Sequence, residues 1–123
     1  MIIVNLDEDF EYFLFQNLKS QESLVTSVYA FQEHLETYGF TGLVGRNKKS
    51  YNENINDPNR ESDNRYVDLK NLWHYHLGIP SYNKSGGLGK WTSSYVLNYT
   101  RNNDLICFFS VEKHPPFKLP FVK

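Results

Sequence analysis

The sequence predicts an α+β fold in which an N-terminal helical hairpin packs on a twisted antiparallel β-sheet. Two patterns support this prediction. In residues 1–38, apolar side chains recur at steps of three and four, which places them on one face of a helix. In residues 66–123, short runs of alternating apolar and polar residues are separated by turn formers, as in β-strands. At 123 residues, of which 40% are hydrophobic, the chain is long enough to fold as a single domain around one core.

The helical hairpin is predicted from two apolar stripes and from the residues at their ends. Asp7 is suited to cap the first helix, because its carboxylate can accept hydrogen bonds from unpaired backbone N–H groups. The polar stretch "SQES" interrupts the pattern, and Gly39 stands where the second helix is expected to end. The first stripe consists of Phe10, Phe13, Leu14 and Leu18, and the second of Leu24, Val28, Phe31 and Leu35.

Residues 39–65 are predicted to form a polar surface loop. They include "GRNKKSYNENINDPNRESDN", which is rich in asparagine, charged residues and turn formers and contains almost no apolar side chains. Arg46, Lys48 and Lys49 form a short basic cluster within this segment. Such a cluster is either ordinary solvated surface or a site that binds phosphate.

Three strands and a C-terminal tail are predicted for residues 66–123. The first strand covers about 66–78, and the glycines of "SYNKSGGLGK" indicate a flexible hairpin loop after it. "SSYVLNYTR" alternates as a second strand, and "NND" supplies a tight turn. "LICFFSV" is almost continuously apolar, as expected of a central strand. The two prolines after His114 should end the sheet, because proline has no N–H to donate to a neighbouring strand.

Composition limits the class of protein. Cys107 is the only cysteine, so an internal disulfide is impossible, which fits a reducing cytoplasm. No run approaches the 18 apolar residues of a membrane span. The N-terminus turns acidic after six residues, so it lacks the basic flank and the apolar stretch of a signal peptide. We therefore expect a soluble cytoplasmic protein without contact to a membrane.

The charge is distributed unevenly along the chain. Residues 1–63 hold 5 Lys or Arg against 11 Asp or Glu, a net −6, whereas residues 64–123 hold 8 against 3, a net +5. A basic half can bind a polyanion such as RNA while the acidic half keeps the chain in solution. Chance variation of a protein surface would give similar counts, so the split alone does not identify a partner.

The stretch "LWHYHLG" contains the most informative pattern of the sequence. Strand alternation places two histidines on one face of the sheet. Burying two imidazoles costs free energy unless each finds hydrogen-bond partners, so their presence requires an explanation. Leu72, His74 and His76 are predicted to share one face, and Trp73, Tyr75 and Leu77 the other.

Three short motifs, in this order, resemble those of the YafO family within the RelE-like toxin superfamily. "LVGRN" resembles the Phe-Gly-Arg-Asp element of that family, and "HYHL" its His-x-His-Leu strand. "VEKHPPFKLP" is similar to the Lys-Pro-rich, His-containing segment that closes its last long strand. The resemblance covers roughly residues 39–119, and the predicted order of elements agrees over the whole chain.

This resemblance implies a RelE-like fold and a ribonuclease toxin that cleaves messenger RNA on the ribosome. It also implies a cognate antitoxin protein as partner and a toxin that is monomeric when free. His74 and His76 match two lysines of RelE, which places them on the RNA-facing surface, and a Lys-Arg pair of RelE matches Lys113 and His114. The chain departs from RelE at Val96, where RelE carries an arginine, and in lacking a tyrosine near the C-terminus.

Metal-independent RNA cleavage uses the 2′-hydroxyl of the substrate as nucleophile. It needs a base, an acid and a cation that stabilises the charge on the phosphorus centre. Histidine suits both proton roles because its ordinary pKa is about 6.5. The predicted catalytic residues are His74, His76, His114 and Lys113, with no cofactor, and the predicted RNA-binding residues are Arg46, Lys90, Trp91, Arg101 and Lys118. Trp91 is the aromatic residue expected to stack on a base.

Other interpretations of these residues remain open at this point. A His-x-His pair on a strand, completed by Glu112 or His114, has the chemistry of a zinc site. A non-catalytic RNA-binding or antitoxin-like module is a third possibility, although the aromatic-rich chain is unlike an antitoxin with a disordered tail. A single histidine is more often structural than catalytic, and His34 on the second helix is expected to be ordinary surface.

Overall fold

The computed structural model describes residues 1–114 and 119–122. Within these residues the chain forms a mixed five-stranded sheet and three helices, which is an α+β fold. The sheet order is β1-β5-β4-β3-β2. The elements are β1 (Ile3–Leu6), α1 (Glu8–Gln16), α2 (Glu22–Tyr38), β2 (Asn47–Lys49), α3 (Arg60–Lys70), β3 (Leu72–His76), β4 (Tyr95–Asn102) and β5 (Leu105–Lys113).

The predicted helical hairpin is confirmed as α1 and α2. The carboxylate of Asp7 accepts a hydrogen bond from the Phe10 N–H at 3.3 Å, as expected of an N-cap. Gly39 ends α2 with a φ of +66°, a conformation that glycine adopts at little cost. Leu18 is an exception to the predicted stripe, because it lies in the turn after α1 and its side chain is half exposed.

The prediction that the first 38 residues are all helical, and that the sheet is antiparallel throughout, is wrong. Ile3–Leu6 forms an edge strand that pairs in parallel with β5, from Ile3 opposite Leu105 to Leu6 opposite Phe108. The β-branched run that begins at Ile2 favours a strand over a helix. The β3-β4-β5 meander is antiparallel as predicted, and β5 is central, between β1 and β4.

The prediction of a continuous loop over 39–65 is also wrong. Asn47–Lys49 forms a short strand, β2, that pairs antiparallel with β3, and α3 begins at Arg60. The strand predicted from residue 66 therefore starts only at Leu72. Both elements are polar, and Val67 is the buried residue of α3, so apolar periodicity gave little sign of either.

The core lies between the α1–α2 hairpin and one face of the sheet, which we call the helical face. Phe31 of α2 stacks on Tyr75 and Phe108, with ring centroids 4.1 and 5.4 Å away. Tyr75 and Leu77 belong to this core and Trp73 packs against it, which confirms the predicted division of the "LWHYHLG" strand between two faces. Within the described ranges, no helix has the length and apolar character needed to cross a bilayer.

Candidate functional site

Three histidines meet on the other face of the sheet, which we call the histidine face. The ring centroids of His74 and His76 are 5.9 Å apart, and that of His114 lies 5.8 Å from His74 and 5.7 Å from His76. His114 directly follows β5, and its backbone N–H donates to the Ser94 carbonyl at 2.6 Å. The antiparallel pairing of β3, β4 and β5 thus brings His114, which is distant in sequence, next to His74 and His76, which strand alternation places on the same face.

His74 is held by a buried partner. Its Nδ1 lies 2.8 Å from the hydroxyl oxygen of Ser50, which is itself fully buried and whose backbone N–H donates to the Leu72 carbonyl. Burial, together with the smaller effects of the neighbouring His76 and His114, lowers the pKa of His74 to about 3. His74 is therefore uncharged at neutral pH.

His76 has a backbone partner suited to either protonation state. Its Nδ1 lies 2.9 Å from both the N–H nitrogen and the carbonyl oxygen of Ser93. The ring nitrogen can accept from the N–H when it is bare and donate to the carbonyl when it carries a proton. Burial lowers the pKa of His76 and the hydrogen bond to Ser93 partly opposes that shift. The ring can therefore form one hydrogen bond to the Ser93 backbone in either protonation state of Nδ1.

Positive charge at the site comes from β2 and the residue before it. Burial lowers the pKa of His114, and the charges of Arg46 and Lys48 lower it further. Lys48 lies directly opposite His74 in the β2–β3 register. The Arg46 carbonyl accepts from the His76 N–H at 3.0 Å, which fixes this backbone beside β3. The segment predicted as a loop therefore supplies two cations whose charges act on the histidines.

Two cavities open beside the three imidazoles, and Arg46, His76 and His114 line both of them. The smaller one, the Tyr51 cavity, has a volume of about 270 Å³, and the larger one, the Tyr82 cavity, about 500 Å³. The other residues of the Tyr51 cavity are Lys48, Tyr51, Asn52, Glu53, Asn54 and His74. The other residues of the Tyr82 cavity are Pro80, Ser81, Tyr82, Asn83, Thr92, Ser93 and Ser94. The histidine cluster thus forms the partition between two separate recesses.

Asn52 holds the wall of the Tyr51 cavity in place. Its side-chain amide donates to Asp57 at 2.9 Å and to Asp63 at 3.0 Å, and its backbone N–H donates to Asn64 at 2.7 Å. Its carbonyl accepts from Arg60. These bonds tie the loop after β2 to α3, so the wall is formed by a hydrogen-bonded turn and not by a loose segment.

The structure brings Arg46 to the histidines but places two other predicted residues elsewhere. Lys113 pairs with Tyr95, which packs against the core, so the side chain of Lys113 leaves the sheet on the helical face. The guanidinium of Arg101 lies over the rings of Phe40 and Trp73, also on the helical face, at 4.2 and 5.6 Å from their centroids. Neither residue therefore lies beside His74 and His76, contrary to the prediction from the sequence.

The remaining predicted RNA contacts are Lys90, Trp91 and Lys118, and neither Lys90 nor Trp91 lines either cavity in the described residues. Lys90 is exposed, in a turn where its N–H donates to Gly87. The ring of Trp91 packs against Tyr82 and beneath the Lys84 ammonium, 4.6 Å from the ring centroid. The Trp91 carbonyl accepts from the Arg46 N–H, so this residue positions Arg46. Lys118 falls outside the described residues.

Sequence reasoning missed Ser50, Ser93 and Tyr82, which hold or adjoin the histidines. Nothing in the sequence around Ser50 or Ser93 indicates that they form hydrogen bonds to histidines. Gly45 in "LVGRN" was a usable signal, because a side chain there would collide with the His76 carbonyl and the Tyr82 hydroxyl. A glycine between an apolar pair and an arginine can indicate such a close backbone approach.

The zinc site considered above requires three ligand side chains around one point. In the described part of the chain, no three His, Cys, Asp or Glu side chains are arranged to hold a metal ion. Glu112, proposed above as a third zinc ligand, pairs with Val96 in the β4–β5 ladder and not with β3.

Comparisons with protein-family models, with curated protein sequences and with solved structures give no match to this chain. Its function is therefore inferred from the geometry of the site and from the motif resemblance.

Proposed function

We propose that the protein is a metal-independent endoribonuclease that uses the substrate 2′-hydroxyl as nucleophile. The observation that carries this proposal is the triangle of imidazoles formed by His74, His76 and His114, beside Arg46 and Lys48. It combines groups that transfer protons with cations that stabilise a developing negative charge at one place on the surface.

The environments of the three histidines suggest a division of roles. His74 is an uncharged imidazole at neutral pH and, with a pKa of about 3, a weak base, so its role is to position its neighbours and not to act as the acid. His76 and His114 line both cavities and are the rings that can meet a substrate from either side. A bound phosphodiester raises the pKa of an adjacent imidazole through its negative charge, which would provide the acid.

Arg46 and Lys48 would take the electrostatic role. RelE carries an arginine at the position of Val96, and Val96 lies opposite His76 on the histidine face. In this chain the positive charge on that face comes instead from Lys48 of β2 and from Arg46, the residue before β2. Arg46 can bind phosphate with two parallel hydrogen bonds, whereas Lys48 contributes a point charge.

The more specific assignment follows from the motif resemblance. We propose a RelE-like toxin of the YafO kind, which cleaves messenger RNA on the ribosome in the cytoplasm, inhibits translation and is neutralised by a cognate antitoxin. The helical hairpin on an antiparallel meander supports this proposal. So do the positions of "LVGRN", "HYHL" and His114, since all three motifs meet at one site.

Substitution of each histidine tests the function. His74→Ala, His76→Ala and His114→Ala should each reduce RNA cleavage and growth inhibition by about 10²–10⁴-fold, the usual cost of a lost proton-transfer group. His34→Ala is the matched control, because His34 lies on α2 and bonds to the Thr41 carbonyl. If all three site variants remain as toxic as the control, the histidine mechanism is wrong.

Metal removal separates this proposal from a zinc enzyme. The protein is treated with EDTA, desalted, and assayed on ribosomes in magnesium buffer with a zinc-selective chelator. Cleavage should persist, and the purified protein should hold no stoichiometric zinc. Tightly bound zinc, together with activity that is lost on chelation and restored by zinc, would support the zinc enzyme instead.

A further inference from the structure

The two cavities beside the histidines differ in chemistry although they share three residues. The Tyr51 cavity contains the ion pair between Lys48 and Glu53, with the Lys48 Nζ 2.5 Å from the carboxylate. The Tyr82 cavity offers uncharged hydrogen-bonding groups instead, from Ser81, Asn83, Thr92 and Ser94. Its volume of about 500 Å³ lies in the ~300–1,000 Å³ range of small-ligand sites. Apart from Arg46, which lines both, one recess thus contains charged side chains and the other contains uncharged ones, and His76 and His114 lie between them.

The walls of the Tyr82 cavity are fixed. The backbones of Asn83 and Thr92 exchange two hydrogen bonds, at 2.7 and 3.2 Å. The Tyr82 hydroxyl donates to the His76 carbonyl at 2.7 Å, and its ring lies so close to Gly78 that any side chain there would collide with it. The cavity is therefore formed before a ligand arrives, which reduces the entropic cost of binding.

Asn83 has a defined orientation at this cavity. Its Oδ1 accepts from the Ser85 N–H at 3.0 Å, which assigns the amide and leaves its NH₂ group as the end that can bind a ligand. An amide NH₂ donates to the carbonyl oxygens that uracil and guanine carry, whereas adenine and cytosine carry amino groups at the corresponding positions.

We propose that the Tyr82 cavity is a nucleobase subsite, in which Asn83 selects uracil or guanine next to the scissile phosphate. The phosphate would lie against Arg46, His76 and His114, and the nucleotide on its other side would occupy the Tyr51 cavity. This inference rests on the proposed ribonuclease function, and it specifies which part of the substrate each recess binds. Asn83 is a specificity-determining residue and takes no part in proton transfer.

Binding of non-cleavable dinucleotides tests the subsite. The probes are the sixteen dinucleotides whose 2′-hydroxyls are methylated, so that the nucleophile is blocked. Affinities are measured by NMR titration of the full chain, with the amides of Thr92 and Ser94 reporting on the Tyr82 cavity. At one of the two nucleotide positions, uracil and guanine should bind about fivefold to tenfold more tightly than cytosine and adenine, as expected for one hydrogen bond.

Asn83→Asp should reverse this preference, because it replaces the donor by an acceptor and keeps the oxygen that accepts from Ser85. Asn102→Asp is the matched control, since Asn102 is exposed at the β4–β5 hairpin, and it should bind as the wild type does. Should Asn83→Asp fail to fold, Asn83→Ala serves in its place and should abolish the preference without adding charge.

The outcomes separate the subsite from the nuclease. A wild-type protein without base preference, or Asn83 variants that keep it unchanged, would overturn the subsite. The same proteins are assayed for cleavage of ribosome-bound RNA. If the protein cleaves RNA but binds all bases equally, the subsite is wrong and the nuclease proposal stands. If it binds with base preference but cleaves no RNA, the subsite stands and the nuclease proposal is wrong.

Discussion

The two faces of the same sheet differ in composition. On the helical face, Phe31 stacks between Tyr75 and Phe108 in a continuous apolar core. On the histidine face, the same β3 strand carries His74 and His76, which are as buried as the core residues. Successive residues of one strand thus belong to the apolar core on one side and to the proposed catalytic site on the other.

The histidine face contains several buried polar side chains. Asn98 lies opposite His74 in the register, and its amide donates to the Ser110 hydroxyl at 3.0 Å. Ser50 and His74 form a second buried pair. Buried polar groups stabilise a fold less than well-packed apolar ones of the same size, so this side of the sheet contributes less to stability than the helical face.

The first prediction concerns the helical face and has the largest expected effect on stability. Phe31→Ala should lower the free energy of unfolding by about 3–5 kcal/mol, because it removes a buried ring that stacks on two others. Chemical denaturation measures the change. A loss of less than 1 kcal/mol would mean that the helical face does not dominate stability, and the comparison of the two faces would fail.

The second prediction concerns the pH dependence of stability. The pKa of His74 is far below its ordinary value in the folded protein, so unfolding takes up a proton below about pH 6.5. This histidine favours the folded state fully above pH 6.5, and its contribution is lost as the pH falls toward about 3. It should add a slope of up to about 1.4 kcal/mol per pH unit.

Denaturation of the wild type and of His74→Gln between pH 4.5 and 7.5 measures this slope. The wild type should lose stability more steeply than the variant below pH 6.5, and the two curves should run parallel above it. Parallel curves over the whole range would show that His74 is not held uncharged by burial.

The third prediction concerns charge on the histidine face and is the smallest in effect. Lys48→Ala should weaken RNA binding and flatten its salt dependence by about one unit, as expected when one phosphate contact is lost. Glu53→Gln removes the ion-pair partner of Lys48 and should strengthen binding. Lys19→Ala, in the turn between α1 and α2, is the control and should change neither quantity. Equal losses for Lys48→Ala and Lys19→Ala would contradict the assignment of the RNA surface.

Local periodicity was sufficient to predict part of this molecule. The stripes of α1 and α2 and the alternation of β3 depend only on neighbouring residues, and the faces of His74 and Tyr75 follow directly from that alternation. The hairpin turn at Asn103, which has a φ of +54°, was also evident from the "NND" sequence.

Features that depend on distant pairing could not be predicted in the same way. β2 has three residues, and its position opposite His74 is decided by its pairing with β3. Counting charges along the chain therefore assigned Arg46 and Lys48 to an acidic half, although they stand beside the histidines. Arg101 lies on the helical face because it alternates in step with Tyr99 of the core. Lys113 does so because the register shift opposite Asn98 and Tyr99 changes the alternation of β5.

The central claim is that the histidine face cleaves RNA through the 2′-hydroxyl of the substrate. The most direct test uses a ribosome-bound messenger RNA in which the nucleotide before a mapped cleavage site carries a single 2′-deoxy substitution. Cleavage at that site should disappear while cleavage at neighbouring sites continues, because only the substituted nucleotide lacks its nucleophile. Cleavage at the substituted site at the unsubstituted rate would contradict the mechanism, since the nucleophile would then come from elsewhere.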